Sequence, residues 1–195
     1  MTEPSNVYGG PVPRISPGSR AQIGLVNSLV TQVMGLMTRS GPPNVFTTLA
    51  RHRGLFRRWM IFASGLMPFG RLPRADTELV ILRVAHNTAC TYEWHHHERL
   101  GRRAGLSAEE IQRVRVGPSD PSWTPRQAAL LAGADDLHTS GRIGDPAWAA
   151  LSAFLDEQDL IEFCLLAGHY YMLAMTLNTL NVQPDPPRTR RLPPR

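Results

Sequence analysis

An all-α fold of eight or nine helices in one bundle-like domain is predicted by three features of the sequence. Helix start and stop signals recur at short intervals, apolar residues recur at three- and four-residue spacing, and no run of alternating β-branched residues suggests a strand. The 195 residues suit a single domain, and with 42% apolar and 19% charged residues a packed core is expected.

The domain is expected over 19–182, between a Pro/Gly-rich arm at 1–18 and a Pro/Arg-rich tail at 183–195, neither able to hold a helix. The first helix is expected from Ser19 to Met37, with Ile23, Val26, Val30, Val33 and Met34 as its apolar stripe, and Ser40-Gly41-Pro42-Pro43 closes it. Shorter helices follow near Asn44 to His52 and Leu55 to Leu66. Arg74 to His86 is apolar enough to be buried on most sides, and another helix runs from Ala89 to Arg103. Gly105 ends that helix, and Ser107-Ala-Glu-Glu110 restarts the chain as a capping box, hydroxyl and carboxylate each satisfying an orphan amide of the first turn. Thr124-Pro125 repeats the start with proline at the first helical position, and Asp145-Pro146 does so again. The last helix is expected from Glu157 to Leu180.

Composition narrows the function. All 21 basic residues are arginine, which excludes a lysine Schiff base or a phosphate-loop lysine. The formal charge of +5 lies partly in the tail, at Arg188, Arg190, Arg191 and Arg195, and no basic stripe on a structured face suggests a nucleic-acid partner. Cys90 and Cys164 cannot make a disulfide framework, and Met1 to Arg20 has no apolar leader, so a cytoplasmic chain is expected. The stretch from Phe163 to Pro184 has no charged residue, but His169, Thr176, Asn178, Thr179 and Asn181 argue for a central helix and against a membrane span.

The chemistry gathers between Glu78 and His97, a 20-residue stretch holding acid, thiol and imidazole groups. At about 100° per residue, Glu93 lies about 60° and His97 about 20° from Cys90 around one helix, so the three share a stripe while His95 and His96 point elsewhere. Asn87 or Thr88 is the expected cap of that helix, and its free amides would lower the Cys90 thiol pKa. Glu78 reaches the stripe only if the chain turns near Asn87-Thr88. No metal or cofactor is expected: a ladder of Cys90, Glu93 and His97 spreads over about 10 Å of helix axis. Arg83 has two open uses, anchoring an anionic substrate or pairing across a subunit boundary. Tyr92 and Trp94 are expected in the core or an interface.

From Leu72-Pro73 through Glu78-Leu-Val-Ile-Leu-Arg83 to Ala104-Gly-Leu-Ser-Ala-Glu-Glu-Ile111, the sequence resembles the carboxymuconolactone decarboxylase and alkylhydroperoxidase D (AhpD-like) superfamily. Redox members carry Glu, eleven residues, Cys-x-x-Cys, three residues and His; here Glu78, Cys90 and His97 keep the spacing, and Glu93 stands where the second cysteine would be. A disulfide cycle needs both thiols. The resemblance therefore implies a Tyr-Glu-Trp branch with one motif cysteine, an all-α fold, and a homo-oligomer, trimeric or hexameric.

Catalytic roles are expected for Glu78, Cys90, Glu93 and His97. In the leading reading these residues do acid–base work on a small lactone or carboxylate, with His97 as general acid tuned by Glu93 and oriented by Glu78. In the alternative, Cys90 attacks a hydroperoxide and is resolved by Cys164 or an external thiol. A third reading is an oligomeric binding protein that has lost its chemistry.

Overall fold

The computed structural model describes residues 12–37 and 41–185. Among these residues it is all helix: α1 (Arg20–Ile23), α2 (Leu25–Met37), α3 (Asn44–Leu49), α4 (Arg53–Leu66), α5 (Arg74–Asn87), α6 (Thr91–Arg103), α7 (Ala108–Arg113), α8 (Pro125–Ser140), α9 (Asp145–Ser152) and α10 (Glu157–Leu180). Ten helices replace the expected eight or nine partly because the first is broken. Gly24 takes φ 81° and ψ 164°, a conformation that only glycine holds without strain, and separates α1 from α2. Most of the expected 1–18 arm, and the tail beyond 185, lie outside the described residues.

By internal contacts the chain divides into two units, whose described parts are 62–179 and, for the other, 12–37 and 41–61 with 180–185. In the latter, Ile23, Ala50 and Phe56 form a buried core flanked by Phe46 and Trp59. The extended segment before α1 is held by backbone bonds from Gly18 to Thr47 and from Arg14 to Leu180, both 3.0 Å. Asn44 N–H donates to the Asp185 carboxylate at 2.7 Å. The expected stripe of the first helix is only half realised. Ile23 is buried, Val30 packs partly against the core, and Val26 and Val33 are exposed.

The unit 62–179 is built around α5, whose residues Thr77 to Leu82, Val84 and Ala85 are all buried, and which packs against α6 and α8. Here the capping signals operate as expected. Ser107 accepts from Glu110 N–H and Glu110 returns a bond to the Ser107 amide, and Thr124 and Gln127 form the same pair ahead of Pro125. Before α9 the cap is Gly144, with Asp145 and Pro146 inside the first turn. α10 is long and apolar enough to cross a membrane by length and composition, and half of that span is buried in the fold.

Arg83 is engaged within its own chain. It grips Asp135 of α8 through two bonds of 2.6 and 2.8 Å and donates to the Val114 carbonyl at 2.7 Å. Gly117, at φ 94°, lies against the guanidinium so closely that a Cβ would sit 2.6 Å from Nη2. One fork thus joins α5, the loop after α7, and α8.

Candidate active site

The turn between α5 and α6 sets the position of the thiol. α5 ends at Asn87 with Thr88 as C-cap, and Ala89 takes a left-handed φ of 51°. Ala89 N–H bonds to the His86 carbonyl at 3.1 Å and Cys90 N–H to the Ala85 carbonyl at 2.9 Å, the two bonds of a Schellman motif. Cys90 then becomes the N-cap of α6, its carbonyl accepting from Trp94 N–H at 3.0 Å. The expected caps, Asn87 and Thr88, are instead the end of α5. Their side chains bond to Asp135 and to the Val84 carbonyl, which leaves Cys90 to begin the next helix.

Cys90, Glu93 and His97 share the inward face of α6, and all three are buried. The stripe expected from helical spacing is present. The turn also brings Glu78 to it: His97 Nδ1 lies 2.7 Å from Glu78 Oε2, and Arg74 pairs with the other Glu78 oxygen at 2.6 Å. His97 is therefore partnered by Glu78, the residue expected to orient it, while Glu93, expected to tune it, makes no hydrogen bond to it. The Tyr170 ring meets the imidazole edge-on at 5.1 Å, and its hydroxyl donates to Met67 Sδ at 3.6 Å.

Glu93 is only 2% exposed and neither carboxyl oxygen has a hydrogen bond of ordinary geometry. Burial raises its pKa well above the usual carboxylate range, and the adjacent Cys90 thiol opposes this only weakly, so the acid form is favoured. The expected depression of the Cys90 pKa is reversed. Burial pushes the thiol up, ionisation of Glu93 would push it further, and the Tyr92 and Glu93 amides at the start of α6 pull it down without prevailing.

Cys90 also lines a cleft of about 560 Å³, together with His86, Thr91, Trp94, His95 and Arg115. The Arg115 guanidinium lies 4.0 Å over the Trp94 ring, and His86 meets Trp94 edge-on at 6.3 Å. Burial lowers the His86 pKa, with Arg83 and Arg115 adding to the effect, so that imidazole is kept neutral. Trp94 is buried as expected, yet it also forms a cleft wall. Glu78, Glu93 and His97 do not line this cleft; Cys90 is the one expected site residue that does. Sequence spacing could not reveal Arg115, which arrives from the loop after α7.

Residues 53–136 match the carboxymuconolactone decarboxylase family. Among curated proteins none matches the sequence. Solved structures share the fold at low identity. A peroxidase-related protein from Ralstonia eutropha JMP134, described as an alkylhydroperoxidase AhpD core, is 19% identical over 91% of this chain and 94% of its own, with a TM-score of 0.80. A peroxidase-related protein from Silicibacter sp. TM1040 is 17% identical over 95% of each chain, with a TM-score of 0.72. The debrominase Bmp8 is 16% identical over 88% of this chain and 91% of its own, with a TM-score of 0.74. By its matching segment the chain is similar to the carboxymuconolactone decarboxylase family over residues 53–136, and its fold is the AhpD-like all-helical architecture.

Proposed function

We propose that the chain is an acid–base enzyme acting on a small lactone or carboxylate in the α6 cleft, with Cys90 exchanging a proton with substrate and Glu93 behind it as the acid that restores the thiol. The observation that carries this reading is the buried Glu93 carboxyl, favoured in its acid form and placed against a thiol on the cleft wall. The similarity of residues 53–136 to the carboxymuconolactone decarboxylase family supports the substrate class.

Loss of CO2 next to an unsaturated lactone leaves a dienolate that must be protonated on carbon. A thiol whose pKa is raised stays protonated until such a carbanion takes its proton. The thiolate then left is met by the Tyr92 and Glu93 amides at the start of α6 and takes the Glu93 proton. Solvent reprotonates Glu93, so one proton is consumed per CO2 released. Arg115, stacked on Trp94, supplies positive charge for a carboxylate that the product keeps. Glu78 and His97 tie α6 to α5 and act as positioning residues.

The test uses wild type, Cys90→Ser and Glu93→Gln with unsaturated lactone acids in D2O. One deuteron should enter the product carbon, with turnover lowered by about 100-fold or more in both variants. Unchanged turnover in either variant would refute that residue's role.

A second reading is a thiol peroxidase, favoured by the downward pull of the Tyr92 and Glu93 amides on the Cys90 thiol pKa and by the descriptions of two of the structural relatives. Cys90 would take the terminal oxygen of a hydroperoxide, giving a sulfenic acid and an alcohol, with reduction by an external thiol. Peroxide consumption with dithiothreitol that Cys90→Ser abolishes, without lactone turnover, would establish it over the first.

A further inference from the structure

The polarity of α2 is inverted. Asn27 and Thr31 are each only 1% exposed and Ser28 is buried beside them, while Val26, Leu29, Val33 and Leu36 are exposed by 43 to 76%. The buried polar groups are partly satisfied locally. Thr31 donates to the Ser28 carbonyl at 3.0 Å, and Gln32 Nε2 donates to the Ser28 hydroxyl at 3.2 Å. The exposed residues fall at intervals of three, four and three, the a and d positions of a heptad repeat. Valine occupies both a positions and leucine both d positions, the combination that favours two-stranded coiled coils.

Other occupants fit less well. The 13 residues of α2 include no charge, so a charged partner has nothing to pair with. Helices that lie on membranes carry lysine or arginine opposite their apolar stripe. In α2 that opposite face is Asn27, Ser28 and Thr31, uncharged and turned inward. With Leu25 added at a flanking g position, the exposed apolar surface comes to about 500 Å² per copy. Two such faces together remove about 1,000 Å², the size at which a specific interface begins, and a patch of about 500 Å² lies toward the upper end of what a lone chain exposes, where patches are often functional.

We propose that the outer face of α2 is an isologous contact with α2 of a second copy, a two-stranded coiled coil about 20 Å long. The contact is two-fold, so assemblies made through it contain an even number of copies. Nothing in it depends on the chemistry of the cleft.

Light scattering on the full chain tests it. Wild type should have the mass of an even number of copies, and Leu29→Glu, a surface change that leaves the helical circular dichroism intact, should halve that mass. Val33→Cys treated with a short bismaleimide should give a covalent dimer on denaturing gels, while treated wild type should not. A monomeric or odd-numbered wild type, a mass unchanged by Leu29→Glu, or no cross-linked dimer would each overturn the proposal. So would vesicle binding by wild type that Leu29→Glu abolishes without a change in mass.

Discussion

At the scale of the residue, Glu93 is where chemistry and stability meet. The folded chain raises its pKa by burial, so the folding free energy depends on pH with a definite sign. The unfolded carboxyl ionises near about 4.3. Above that pH the folded state must either keep the proton or bury a charge, so stability is full below the unfolded value and falls as pH rises toward the folded one. Glu93→Gln removes this cost. Urea midpoints of wild type and Glu93→Gln should coincide near pH 4 and separate as pH rises, with the variant the more stable. The stripe of Cys90, Glu93 and His97 was legible in the sequence because helical geometry alone places them together. The orientation of His97 by Glu78 was legible from the turn signals between the two helices, whereas Arg115, which reaches the cleft from another loop, was not.

At the scale of the element, capping chemistry was the most readable part of the sequence. Ser107 with Glu110 and Thr124 with Gln127 start their helices as expected, since both halves of each capping box are local. The α5–α6 turn falls where it was expected, but its caps were misassigned for the opposite reason. The left-handed residue of its Schellman motif is Ala89, not glycine, so the usual signal was missing. This makes a prediction: Ala89→Gly relieves the Cβ penalty at φ 51° and should stabilise the fold by about 1 kcal/mol, measured by urea denaturation. The misread side of α2 has another cause. Its apolar and its polar residues both recur with helical spacing, and periodicity does not say which stripe faces the core when the polar residues are small and uncharged.

At the scale of the whole molecule, one buried and one half-buried imidazole shape the response to acid. Burial lowers the pKa of His169 to about 4, and chiefly burial lowers that of His96 to about 3, so both are neutral in the folded chain across most of the acid range. Unfolded histidines take up protons below about pH 6.5. Stability is therefore fully present above that pH and lost as pH falls toward the folded values, the reverse of the Glu93 dependence. Thermal midpoints should drop between pH 6.5 and 4, and His169→Phe should flatten that decline. The Arg83 fork has a different consequence. Because a single guanidinium binds α8 and the loop that carries Arg115 to α5, none of the three can fray without breaking the bonds that hold the other two. Their amides should exchange with solvent deuterium as one cooperative unit, at a shared opening free energy. A wall held in that way meets a ligand already in shape, and slow release would then come from the fit of the cleft and not from a closing lid.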